Sequence, residues 1–365
     1  MYIATNRQIH ETEKDLKVFG ATPSEHGPNE LRLANVTKTG NSFEVELIDD
    51  VLSRDEVAQM IEEYDLILDP EQTWHASLRV AAEMLKKAEK QSKHLLFYVH
   101  GYNNDLKDIV DTAQELEDTY DVQVVVFSWP SNGGGSISGT LAYLSDKDDA
   151  RVSATAFNRF ADKIRSYHEL ISHSREQSLL EKARRKHPNN LEKAQELVTR
   201  LINEKCKVSL NLLCHSMGNY LLKYALLPSN SAFRRMTFDN VCLLAADANN
   251  DRHADWIDRM DFRSRLYIVI NEGDFALAWS RRKPGDEQKV RLGHSLESLN
   301  ARKAKYLNVT DSDWVDNAHS YFTGEPVDKN RQLHNMFADL FEGRVAENNS
   351  DIALRYRSDL NAYEL

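Results

Sequence analysis

The chain has 365 residues, enough to bury a large core, and it carries 46 Lys and Arg against 57 Asp and Glu, for a net charge of −11 and a pI near 5.7. That acidity excludes general nucleic-acid binding, which needs surplus cations to neutralise phosphates. Three scattered cysteines, Cys206, Cys214 and Cys242, exclude a disulfide framework and a paired Cys-x-x-Cys zinc site. The opening "MYIATNRQIHETEKD" lacks the basic and apolar regions of a secretory signal, and no apolar run approaches the roughly 20 residues of a bilayer span. The expected protein is cytoplasmic, with no membrane span.

In chain order, "NELRLANVTKTGNSFEVELID" reads as a hairpin, with Thr39, Gly40 and Asn41 as its turn signal. Ser53 to Glu56, "SRDE", forms a capping box that opens a helix towards Tyr64, and "SLRVAAEMLKKAEKQ" gives a second helix. Six apolar runs follow: "HLLFYVH", "VQVVVFS", "VSLNLL", "NVCLLAA", "RLYIVIN" and "AKYLNV". Near-continuous apolar strands, most of them separated by helical patterns, predict a mostly parallel sheet covered on both faces, a doubly wound α/β architecture. Residues 156–206 form a charged helical insertion, broken into a hairpin at Pro188, Asn189 and Asn190; its charge reads as a solvated face, with a lid as the other candidate role. A single domain over residues 1–365 is expected, with residues 1–50 as its N-terminal strand and hairpin segment.

Ligands of open α/β sheets bind beyond the carboxyl ends of the strands. The residues found there are His100 to Asn104 after the first run, Trp129 and Pro130 after the second, and Cys214 to Gly218 after the third. Asp247, then Glu272 to Asp274, and finally His319 follow the later runs, so Ser, Asp and His succeed one another in that order. In "NLLCHSMGNYLL" an apolar strand breaks at Ser216, a pattern that suits a sharp strand-to-helix turn presenting a hydroxyl above the sheet. A serine is a poor nucleophile without a base, and the base needs a carboxylate to fix its tautomer. Ser216, His319 and Asp274 are assigned these roles, with Asp247 and Glu272 as the competing acids. His319 lies on a loop after the last run, whereas His294 precedes that run and His334 falls in the amphipathic "RQLHNMFADLFEG".

The motifs "ATNR", "HGYNN", "FSWPSNG", "CHSMGN", "NEGDFAL", "RLGHS" and "AHSYF", taken together and in this order, resemble the α/β-hydrolase fold superfamily, in a branch of largely uncharacterised bacterial serine hydrolases. Cys214 stands where the G-x-S-x-G pattern has its first glycine; it reads as a small structural stand-in. The resemblance implies an oxyanion hole from the backbone N–H groups of Tyr102 and Met217, and acyl transfer to water through an acyl-enzyme. The expected partner is a small-molecule acyl ester or thioester, with His100, Gly101, Trp129 and His215 around it, no cofactor and no metal.

Three weaker signals complete the reading. "SNGGGS" lacks the Gly-Lys-Ser/Thr of a phosphate loop and reads as a loop near the pocket mouth. "DRHAD" sets Asp251 and Asp255 around His253, either as a metal site or as a surface helix start. "WSRRKPGDEQKVR" supplies solvated cations after Asp274, with attraction of an anionic substrate as the alternative.

Overall fold

The computed structural model describes every residue except 28, 41, 103, 132–138, 205–207 and 283–288. The strands are β1 (Tyr2–Thr5), β2 (Arg7–Ile9), β3 (Phe19–Pro23), β4 (Arg32–Thr39), β5 (Ser42–Leu47), β6 (His94–Val99), β7 (Val122–Ser128), β8 (Leu210–His215), β9 (Asn240–Leu244), β10 (Arg265–Ile270), β11 (Ala304–Asn308), β12 (Arg355–Arg357) and β13 (Ala362–Glu364). The helices are α1 (Arg54–Tyr64), α2 (Ala76–Gln91), α3 (Leu106–Thr119), α4 (Gly139–Lys186), α5 (Leu191–Glu204), α6 (Gly218–Leu226), α7 (Ala254–Ile257), α8 (Phe275–Ser280), α9 (Glu325–Lys329) and α10 (Arg331–Phe341).

Alternation along β6 explains the architecture. Leu95, Phe97 and Val99 enter one core, with α2, α4 and α6, while Leu96 and Tyr98 enter a second core, with α3 and α10. A strand buried on both faces must be apolar throughout, and this is why the six runs are legible. The 11-stranded sheet has the order β12-β13-β11-β10-β9-β8-β6-β7-β1-β4-β5. Every pair from β1–β7 through β11–β13 is parallel, and the antiparallel pairs are β1–β4, β4–β5 and β12–β13. The doubly wound sheet with helices on both faces is therefore present. Among the described residues no helix is long and apolar enough to cross a membrane.

The N-terminal strand expected within residues 1–50 is Tyr2 to Thr5, which lies inside the sheet between β7 and β4 although the run is only 4 residues long. One detail differs from the sequence reading. The long charged helix begins at Gly139, not near residue 156, and its first half is core: Tyr143, Ala150, Phe157 and Phe160 pack on the sheet. The break expected at Pro188 falls between α4, ending at Lys186, and α5, starting at Leu191. The resulting hairpin is zipped by Leu179 and Ala183 against Ala194 and Val198. Outside itself it is tied by Lys182 to Asp65, 2.7 Å away just past α1, and by Arg175 to Glu89 of α2, near the amino ends of the strands. A lid reading finds no ion pair to the Ser216 end there among the described residues. The turn residue Asn41 lies outside the described residues, but Thr39 and Ser42 pair across it as a hairpin requires.

Candidate active site

Strand β8 runs apolar to its end, and the chain reverses at Ser216 into the nine residues of α6. Ser216 has φ 52, in the left-handed region that a side chain other than glycine occupies only under constraint. The constraint is a set of hydrogen bonds to β9 and beyond. Ser216 N–H donates to the Leu244 carbonyl (3.0 Å), and its own carbonyl accepts from Asp247 N–H (3.1 Å). The buried Asn219 amide spans the carbonyls of Cys214, Ser216 and Leu244 at 2.9, 3.1 and 3.2 Å. Gly218 allows the turn to press on β6: a Cβ there would lie 2.8 Å from the Val99 carbonyl oxygen and 2.9 Å from that of His100. Asn219 had no role in the sequence reading; its signal was a polar residue at the apolar start of a helix.

The acid and the histidine meet on the far side of β10. Asp274 is fully buried and caps α8, with Oδ1 accepting from Leu277 N–H at 3.0 Å. Its Oδ2 accepts from His319 Nδ1 at 2.7 Å, which fixes the ring's tautomer and leaves Nε2 as its proton acceptor. The loop bearing His319 is stapled to the end of β10 by Asn271, whose Nδ2 donates to the carbonyls of Asp316 and Ala318, each at 3.1 Å. His215 packs its ring 4.7 Å from that of His319 and 5.0 Å from Phe322, and its Nε2 donates to the His319 carbonyl at 3.2 Å. Burial, then the neighbouring His319, holds the His215 pKa well below the ordinary value, so this ring stays neutral.

After β6 the chain passes directly over the serine, and a Cβ on Gly101 would come within 2.7 Å of the Ser216 Cβ. His100 sets this loop. Its Nδ1 donates to the Gly101 carbonyl at 2.9 Å, its Nε2 accepts from Trp129 N–H at 3.2 Å, and its ring stacks on the indole at 5.2 Å. Both residues are 0% exposed and hold the loop from beneath. Beyond them Arg7 is buried, with Nε donating to Ser128 Oγ (2.9 Å), Nη1 to the Gly20 carbonyl (3.1 Å) and Nη2 to Ser131 Oγ (3.4 Å). Burial pulls its pKa down to about 10.

Burial, then the Arg7 charge, lowers the His100 pKa to about 3. The unfolded chain protonates this ring below about pH 6.5 while the folded one does not, so stability falls as pH drops from 6.5 towards 3. His100→Gln should therefore lose about 2 kcal/mol less than the parent between pH 7.5 and pH 5, since any pH-independent cost of the substitution cancels. Urea unfolding of both proteins at both pH values measures this, and equal losses would refute it.

A family model described as an alpha/beta hydrolase of unknown function (DUF900) matches residues 76–187 and 182–324. The chain belongs to this alpha/beta hydrolase family. Nothing among curated proteins or solved structures matches it. The matched region spans α2 to the His319 loop and so includes Ser216, Asp274 and His319 of this family member, while β1 to β5 and the C-terminal strands lie outside it.

The competing residues have other partners in the hydrolase. Asp247 is buried against Arg291 (2.9 Å), Ser280 Oγ (2.8 Å) and Tyr143 Oη (3.0 Å), and Glu272 is exposed and accepts from Leu296 N–H (3.0 Å). His334 stacks on Tyr120 at 5.4 Å, on the α3 and α10 side of the sheet. His294 is closer to the site than its position before β11 suggested. The turn that bears it returns to the strand ends, where Leu292 N–H donates to the Ala248 carbonyl and Asn271 N–H to that of Gly293. Burial lowers the His294 pKa while the charges of Asp274 and Glu272 oppose the shift. The segment "DRHAD" is a helix start with Asp251, Arg252 and Asp255 exposed, as expected, while His253, the N-cap of α7, is itself buried with both ring nitrogens engaged, by the Asn250 carbonyl (2.7 Å) and Tyr306 Oη (2.6 Å). Tyr102 is half-buried, edge-on to Tyr143 at 5.5 Å, and Met217 precedes the first turn of α6 with its side chain buried. The loop "SNGGGS" after Ser131, Cys206, and residues 283–288 of the basic segment lie outside the described residues.

Proposed function

We propose that this family member is a serine hydrolase that cleaves an ester or thioester through an acyl-enzyme. Ser216 attacks the acyl carbon, and His319 takes its proton and returns it to the leaving group. Asp274 orients the imidazole and stabilises its cation, and water releases the acid in the second half-reaction. The developing oxyanion is held by the N–H groups of Met217, at the positive end of α6, and of Tyr102, each worth roughly a hundredfold or more in rate. The observation that carries this reading is the 2.7 Å contact of His319 with buried Asp274, on the same edge of the sheet as a serine forced to φ 52. Phe275 (68% exposed), beside Asp274, and Trp314 (51% exposed), on the His319 loop, offer apolar surface to an acyl chain. No cofactor enters this chemistry. Cys214 and Cys242 are free and buried, which suits a reducing compartment, and the cytoplasm is part of the proposal.

The test is labelling of the purified protein with a fluorophosphonate probe, beside a panel of p-nitrophenyl esters of graded chain length and acyl thioesters. Covalent capture at Ser216 with turnover of at least one panel class is the expected result. A folded protein that neither labels nor turns over any panel member would instead be a hydrolase-like binding module.

A further inference from the structure

One cavity lies far from Ser216. It has a volume of about 360 Å³, within the size range of small-molecule sites, and opens between α2, α4 and the β1–β4 part of the sheet. Its floor is formed by Ala4, Phe97 and Val125 on one face of the strands, and its walls by Met84 of α2 and by Phe160 and Ile164 of α4. It includes Leu210, the first residue of β8, whereas Ser216 follows the last, a separation of about 20 Å at the rise of a strand. None of Ser216, Asp274, His319 or the loop at Gly101 lines it.

The interior is apolar and the mouth is charged. Arg159 and Lys163 lie one turn apart on α4, and neither makes an ion pair with a carboxylate among the described residues. Arg159 is held in place by donating to the Asn29 carbonyl at 2.8 Å, and Lys163 Nζ rests 5.4 Å from the Tyr167 ring. Arg32, on β4, has its Nε buried without a hydrogen-bond partner among the described residues, and its Nη1 lies 3.6 Å from the exposed Glu11. A buried donor left unpaired is costly, and a ligand oxygen would satisfy it. Glu30, Asp49 and Asp50 also line the mouth, on the chain before β4 and after β5, and Asp49 and Asp50 are exposed.

We propose that this cavity binds a single-chain amphiphile with an anionic head, a long-chain carboxylate, whose tail lies on the sheet under α4 and whose head is met by Arg32, Arg159 and Lys163. The site is non-catalytic, and the ligand leaves as it entered. It does not depend on the activity proposed for Ser216.

Isothermal titration of the full chain with dodecanoate, below its micelle concentration, tests this, beside dodecan-1-ol and dodecylammonium. One dodecanoate should bind per chain, at least tenfold tighter than either analogue. Ile164→Trp, which places an indole in the cavity, and the surface pair Arg159→Glu with Lys163→Glu should each weaken binding at least tenfold, with thermal unfolding as the check on fold. The proposal is overturned if dodecanoate does not bind, if the alcohol or the amine binds as tightly, or if the charge-reversal pair, which leaves the interior untouched, binds as the parent does.

Discussion

Ser216→Ala is expected to abolish fluorophosphonate labelling and to lower kcat for the best ester by a factor on the order of 10⁶, the scale of loss when a nucleophile is removed from a serine hydrolase. The hydroxyl has no substitute nearby. Cys214 points into the core with its thiol pKa pushed well up by burial, and no other serine shares the turn. The fold should be unaffected, because the bonds that hold the turn come from the backbone of Ser216 and from Asn219, and alanine keeps all of them. Unchanged ester hydrolysis by a folded Ser216→Ala protein would remove the serine from the mechanism.

Removal of the base should be nearly as severe. His319→Ala is expected to lower kcat by several orders of magnitude, and Asp274→Asn by roughly 10⁴, because an amide in place of the carboxylate favours the wrong imidazole tautomer. The informative control is His294→Ala. His294 shares the electrostatic surroundings of Asp274, but the Oδ2 hydrogen bond goes to His319. His294→Ala and His334→Ala should each keep at least a tenth of the activity. Turnover abolished by either, with His319→Ala still active, would reassign the base.

Much of this arrangement was readable in one dimension for a physical reason. A strand with helices on both faces has no solvent side, so β6 to β11 stand out as unbroken apolar runs, and residues that interrupt them at the carboxyl ends have to be accounted for. The six runs and the break at Ser216 follow from that rule. Short strands escape it: β1, β12 and β13 have four residues or fewer, and they are strands only because a neighbour's edge is there to pair with. Supporting polar residues escape it too. Arg7 acts through Ser128 and Ser131, and Asn271 through carbonyls some 45 positions along the chain, so neither role is local. The cavity was invisible for the opposite reason, since Phe160 and Ile164 have the spacing of ordinary core residues and only the third dimension shows that they also wall a cavity beside the sheet.

The length of α4 divides the molecule's resistance to opening. At 48 residues it is about 70 Å long, several times the span of a six-residue strand. Its first half shares the cooperative core of the sheet, whereas its last turns and α5 rely on a small cluster of Leu179, Ala183, Ala194 and Val198 and on exposed ion pairs of little worth. Amide protons at the two ends of one continuous helix therefore report different free energies, the global one near Phe157 and a much smaller local one near Ala183. Fraying, and cutting by a protease with a taste for Arg184, Arg185 and Lys186, begins at the remote end and can proceed while the machinery around Ser216 stays folded.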